Sequence, residues 1–598
     1  MDFLDAPLFS ILKMTGALNE ISTNVHQARL RKAGMKLRDT TRGKEAFVAL
    51  QELAGSCLEQ LESLLRTHSV PFWLSMFREL YRINSMVSFS RPGDFVRHTR
   101  MTELAIAKYS SYVPWDIGTA DGLWAIIPEE TDVLALLDVC KIAGLAADTQ
   151  VDMWRISMGG EVHVRDDDWE SKLDPRTNDL AAIYTERRRV YGNVFEHAGI
   201  SGRSELRVGD GTWPVVMAGK NEFNLSWSPD THTYVEDPAL YHGQYVEAGE
   251  TYKPTFLVHE FCVDDDLAWL KIVDRDIQAR AGFGVYAALS VMRAAAEIAR
   301  EQHSSLRPGH RLRSVGFLVT SEEELITRAL REQHSAGASI SREELSRALG
   351  FLSRAADKTT TIIPGSMFDL RPFIALANGQ VIADYRVAFS GVHMLFDFLA
   401  TTGSRLTKKR ATAFERAVAE IVSTSVPGAE VWAVHQPVVF SSSLSTDIDV
   451  AIRIGDTLLL CECKSACRRP SDEVPTRSRL MRRWRDLVKA LNQVDDLALR
   501  LAARAFTKPN ALPAQVSRVV PCVITSTSEW IPDSDELYWL APRSPRICTV
   551  HEAAEVALSI AAGQQMQNTI LVANGEMITD RYGPLPTPTA LREDRSLA

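Results

Sequence analysis

Residues 446–465 read TDIDVAIRIGDTLLLCECKS. Two apolar runs flank Gly455-Asp456, yet each carries charge, Asp447 and Asp449 in the first and Glu462 and Lys464 in the second. Gly-Asp suits a two-residue hairpin turn. If Ile454 pairs with Thr457, Asp449 falls across from Glu462 and Asp447 across from Lys464, and cross-strand partners share a face. Side chains alternate faces along a strand. One face then carries Ile448, Val450, Ile452, Ile454, Leu459, Cys461 and Cys463, which is a core. The other carries the three acids and the lysine away from the turn, with Ala451, Leu458 and Leu460 nearer to it. Leucines on this second face predict a covering helix.

Close carboxylates repel one another unless a cation lies between them. Three acids against one lysine leave a deficit that a divalent cation would fill. Mg²⁺ takes one or two protein carboxylates, keeps waters and recruits phosphate oxygens, with Mn²⁺ the alternative. A lysine alongside can orient an attacking water, so the cluster suits phosphodiester hydrolysis. The bland alternative is a solvated hairpin face carrying weak surface ion pairs.

Asp449, thirteen positions to Glu462, one residue, then Lys464 resembles the Asp…Glu-x-Lys motif of the PD-(D/E)XK nuclease superfamily, the restriction-endonuclease-like fold. Asp447-Ile448-Asp449 is similar to a Glu-Ile-Asp variant found in that superfamily, and Ile448 stands where the family usually has Pro. The order helix, strand, hairpin strands, helix, strand over about 405–565 is also similar, whereas the first 370 residues resemble nothing familiar. The resemblance implies that Asp449 and Glu462 ligate the metal with the Cys463 carbonyl, and that Lys464 positions the water. It further implies an acid from the preceding helix, matched by Glu415, and a glutamine from the following helix, matched by Gln493.

Lys464 to Lys489 holds nine basic and three acidic residues in a chain of net charge −9. The helix expected over about 477–504 has an apolar seam (Leu480, Trp484, Leu487, Leu491, Val494, Ala498, Leu501). Arg479, Arg482 and Arg483 fall off that seam. With Arg468, Arg469 and Gln493 they are the candidate nucleic-acid contacts, DNA ahead of RNA. Cys461 and Cys463 lie on the hairpin's buried face and, with Cys467, lack a partner pair at zinc-finger spacing. His259-Glu260 has no second histidine four residues on, and neither GDGTW nor MAGKN has phosphate-loop spacing.

At 598 residues the chain exceeds one core. The fold class expected is multidomain α/β (α+β): a helical region 1–150, a mixed α/β region 151–400, a nuclease-like α/β core 401–565, and a partly disordered extension 566–598. Hydrophobic content of 45% and charged content of 24% are those of an ordinary folded chain. No run of about 18 apolar residues exists. Asp2 and Asp5 stand where a secretory leader would be basic, so the expectation is cytoplasmic, with no membrane partner. Eight cysteines in this length make no disulfide scaffold.

Together these readings give a Mg²⁺-dependent nuclease, by analogy one that defends against foreign DNA. The N-terminal two-thirds would serve recognition, regulation or assembly with a second copy or a partner protein. The alternative is a non-catalytic nucleic-acid-binding or assembly protein that retains the fold.

Overall fold

The computed structural model describes residues 40–68, 73, 101–102, 104–108, 130–165, 168–191, 200–208, 211–215, 225–228, 233–236, 245–248, 251–263, 268–304, 317–336, 340–355, 370–376, 379–384, 407–441, 444–465, 474–504 and 512–572. The protein is a mixed helix-and-sheet chain with several small sheets.

The N-terminal part has β1 (Thr40–Arg42), α1 (Gly43–Leu65), α2 (Glu130–Ser157), β2 (Glu161–Arg165), β3 (Asp168–Lys172) and α3 (Pro175–Tyr191). Leu50, Leu53, Leu58, Leu61 and Leu65 bury one side of α1, the 3.6-residue period expected of an amphipathic helix, and α1 packs on α2. Strands β4 (Ile200–Val208), β5 (Gly211–Val215), β6 (Leu225–Ser228), β7 (Thr233–Glu236), β8 (Tyr245–Ala248) and β9 (Thr251–Val263) follow. Residues 151–255 show little clear period and read as loop-rich or β-containing.

Next come α4 (Ala268–Ala281), α5 (Val285–Ser304), β10 (Phe317–Ser321), α6 (Glu322–Ala336), α7 (Arg342–Leu352), β11 (Ser353–Arg354), β12 (Phe373–Ala375) and β13 (Gln380–Asp384). Asn378-Gly379 suits a two-residue hairpin turn, and β12 and β13 pair antiparallel on either side of it, with Gly379 at a φ of +78°. Asn378 itself, residues 391–406, which read as a helix or connector, and the tail beyond 572 lie outside the described residues.

The C-terminal part runs α8 (Thr407–Ser425), β14 (Glu430–Ser441), β15 (Leu444–Ile454), β16 (Thr457–Lys464), α9 (Arg477–Ala502), β17 (Arg518–Thr525), β18 (Trp539–Ala541), β19 (Ser544–Pro545), β20 (Ile547–Thr549), α10 (Val550–Ala561) and β21 (Ile570–Leu571). Its main sheet has the order β14-β15-β16-β17-β20, with β21 also on β17. The first three strands are antiparallel, then β16, β17 and β20 are parallel. A parallel return needs a crossover, which α9 supplies between β16 and β17.

Helices cover both faces of this sheet. One core joins Phe414, Val418 and Val422 of α8 and Val556 and Ala557 of α10 to Val450, Ile452, Leu459 and Cys461 of the sheet. The same core continues into Leu289 and Met292 of α5, Leu345 of α7 and Phe373 of β12. The other core joins Trp484, Leu487, Leu491 and Val494 of α9 to Ala451, Leu458 and Leu460, so the expected helix does cover that hairpin face. Leu180 and Tyr184 of α3 belong to this second core.

Candidate active site

The turn forms where Gly-Asp requires it. Gly455 takes a φ of +59°, the conformation glycine adopts without steric cost. Asp456 is tied to the start of β17, accepting at its carbonyl from the Ser517 N–H (2.8 Å) and at Oδ2 from the Ser517 hydroxyl (2.6 Å). The β15–β16 ladder pairs Ile454 with Thr457 and continues to Val450 with Cys461, the register expected.

It stops there, and this corrects the flat hairpin drawn from the sequence. Asp449 and Glu462, and Asp447 and Lys464, are not ladder partners. Strand β15 stays with β14, pairing Gln436 with Ile448 and Pro437 with Asp447, while β16 stays with β17 as far as Lys464 opposite Thr525. Where the two strands part, the Cys463 N–H donates to Asp449 Oδ2 at 2.7 Å, a side chain taking the place of a ladder carbonyl.

Face alternation breaks at the same point. Ile448 packs in the core under α9 and Val450 in the core under α8, so Ile448 does not share Val450's face as the pattern implied. The physical reason lies on the neighbouring strand. His435 has a φ of +47° within β14, and the ladder pairs Val434–Val450 and Gln436–Ile448 flank it without including it. A left-handed residue in a strand swings the chain out of its pleat.

Four acids meet at this junction. Glu415 comes from α8 as a buried carboxylate, 5% exposed. Its Oε2 lies 3.0 Å from its ion-pair partner, His435 Nδ1. Burial pushes the Glu415 carboxyl up from its ordinary range; nearby His435 opposes this, while Glu462 and Asp447 add to it. Glu462 Oε1 accepts from Lys464 Nζ at 2.5 Å. Asp447 is exposed at the mouth. Burial, then Glu462 and Glu415, push Asp449 up to about 7 against the pull of the Cys463 N–H and Lys464. Cys463 contributes main chain only; its thiol sits in the core, raised by burial and the neighbouring acids.

Among the described residues, no three His, Cys, Asp or Glu side chains are already gathered around one metal-sized point. The donors still fit a divalent cation in kind. Glu415, Asp449 and Glu462 offer carboxylate oxygens, and the Asp449 carboxyl is raised first by burial and then by its acidic neighbours. A cation would have to draw the donors together.

The basic segment is less uniform than the sequence suggested. Arg479 and Arg482 are exposed on α9. Arg483 is half-buried and donates twice to Glu529 Oε1 (2.5 and 3.0 Å), because the helix turns that position toward the loop after β17. Gln493 shares the outer stripe of α9 with Arg482, Asp486, Lys489 and Asp496, with the apolar seam between it and the sheet, so it does not face the acids. Arg468, Arg469 and Cys467 lie outside the described residues.

The residue the sequence reading missed is His435. Its only signal was a His-Gln pair in an otherwise apolar strand, which does not specify a left-handed backbone. No helix among the described residues is long and apolar enough to cross a membrane. No family model matches the chain, and neither a curated protein nor a solved structure does.

Proposed function

We propose that residues 407–572 are a divalent-cation-dependent nuclease core of the restriction-endonuclease-like kind, acting on nucleic acid and on DNA ahead of RNA. The observation that carries this reading is the meeting of Glu415, Asp449 and Glu462, from one helix and two strands, beside Lys464. Asp449 is pushed up to about 7 by burial and by its acidic neighbours. Such perturbed groups concentrate at functional sites. A purely structural hairpin has no reason to bury mutually repelling carboxylates, because each needs a partner to offset lost hydration.

Glu415, Asp449 and Glu462 would hold the cation. When bound, it supplies Lewis-acid polarisation of the phosphodiester and offsets charge developing on its oxygens. Lys464, released from Glu462, would orient the attacking water and face the scissile phosphate. The amide of Cys463 fixes Asp449 in place through its 2.7 Å bond. Exposed Arg479 and Arg482 would hold the flanking backbone by charge. The Lys464–Glu462 ion pair also suits a second reading, a binding protein that hydrolyses nothing.

Metal-titrated cleavage of single- and double-stranded DNA and RNA separates the two. We expect Asp449→Ala and Lys464→Ala each to lower the wild-type rate at least about 100-fold. A wild type as inert as both variants on all four substrates would leave the binding reading.

A further inference from the structure

We propose that His435 is a positioning residue of this same site: its imidazole holds the Glu415 carboxylate turned toward the acids of β15 and β16. The inference rests on the nuclease reading and deepens it, because it assigns how the acid supplied by a helix is kept in place. Three observations carry it.

The first is the contact. His435 Nδ1 stands 3.0 Å from Glu415 Oε2, an ion pair and a side-chain hydrogen bond in which the ring N–H donates. The Glu415 side chain is only 6% exposed, so little water is at hand to orient it. A glutamate has three side-chain torsions, and α8 alone does not fix where its carboxylate points. It lies close enough to Asp447, Asp449 and Glu462 to repel each of them, and the imidazole on its other side opposes that repulsion.

The second is the direction of the ring. Ala433 belongs to the core under α9 and Val434 packs on the core under α8, an alternation that would return His435 to the α9 side. It meets α8 instead. The φ of +47° redirects it, a conformation that a β-carbon makes unfavourable and that glycine or asparagine takes more readily. Glycine would bring no donor to Glu415. The chain bends where the bend delivers the imidazole.

The third is the pattern shared by the acids. Asp449 Oδ2 accepts from the Cys463 N–H at 2.7 Å, and Glu462 Oε1 from Lys464 Nζ at 2.5 Å. With His435 on Glu415, each of the three carboxylates takes a donor from β14 or β16. Carboxylates fixed beforehand lose less freedom when they take up a cation, and partners that orient such ligands are worth about 10- to 100-fold in metal affinity or activity.

The test is calorimetric titration of the full chain with MgCl₂, with DNA cleavage followed in parallel and melting in chelator as the check of fold. His435→Asn places its amide nitrogen where the imidazole has Nδ1, so it keeps a donor to Glu415; His435→Gly keeps the backbone and loses the donor. Both variants should melt cooperatively in chelator, close to wild type. His435→Gly should bind Mg²⁺ at least about tenfold more weakly than wild type, and His435→Asn within about threefold of it. Unchanged affinity in His435→Gly would overturn the role, and so would His435→Asn falling as far as glycine. Either result leaves the nuclease reading intact while wild type cleaves in Mg²⁺ and Asp449→Ala does not. A wild type that neither binds Mg²⁺ nor cleaves would remove that reading, and this role with it.

Discussion

Asp449 is the residue at which burial and chemistry oppose each other most. Its carboxyl holds a proton more tightly in the folded chain (about 7) than in the unfolded one, where it keeps the ordinary aspartate value of 3.8. The unfolded state therefore binds fewer protons than the folded state between those values, and stability falls as pH rises through that window. The stabilising contribution of the protonated acid is complete below about pH 4 and gone above about 7. Asp449→Asn keeps the shape and can still accept from the Cys463 N–H, but it cannot ionise. In chelator, its melting temperature should rise relative to wild type between pH 4 and 7, by roughly several degrees. A difference that stays flat with pH would show that Asp449 is not held protonated by its surroundings. Added divalent cation should erase the difference in wild type, because a bound cation favours the ionised form.

At the scale of elements, α9 shows how one helix divides its work. Trp484, Leu487, Leu491, Val494, Ala498 and Leu501 bury against the sheet, following the seam visible in the sequence, but its first member is Met481, and Leu480, expected there, is only half-buried. Arg483 sits at the border and is taken by Glu529, whereas Arg479 and Arg482 remain exposed. Of these three arginines, the exposed pair is available to phosphates. Each phosphate contact contributes about 0.9 to the slope of log affinity against log salt on duplex DNA. Replacing Arg479 and Arg482 together by alanine should flatten that slope by roughly 2 and weaken binding across all sequences alike. Arg483→Ala should leave the slope unchanged, since that guanidinium is already paired. Binding isotherms from low to high salt would read both, and an unaltered slope in the double variant would exclude α9 from the interface.

Across the whole molecule, distant segments share one fold. Arg187 of α3 reaches 365 residues along the chain to Glu552 of α10, at 2.6 Å, and also donates to the Glu529 and Ile547 carbonyls. The pair is almost wholly buried, its side chains 5% and 9% exposed. Glu552 also accepts from the Thr549 N–H, as part of the capping box that starts α10. Removing the arginine leaves a buried carboxylate uncompensated, which costs roughly 3–5 kcal/mol. Arg187→Ala should therefore lower denaturant stability of the C-terminal core by about that amount, although the residue lies outside it in sequence. A change under about 1 kcal/mol would mean that α3 is not docked there in solution.

The sequence by itself determined much of the C-terminal architecture, because hydrophobic period, turn chemistry and capping are local. Gly455-Asp456 placed the bend and its register, and the α9 seam gave the helix that covers Leu458 and Leu460. Two capping boxes, Ser341 with Glu344 and Thr549 with Glu552, start α7 and α10 through equally local contacts, though they went unread in the sequence. What tertiary structure decided is non-local. It brought Glu415 of α8 to the acids, turned Arg483 to Glu529, and broke the pleat at Asp449 through a left-handed His435 one strand away. A strand's face alternation is legible only while its neighbour stays regular, and no residue's own sequence context reports what its neighbour's backbone does.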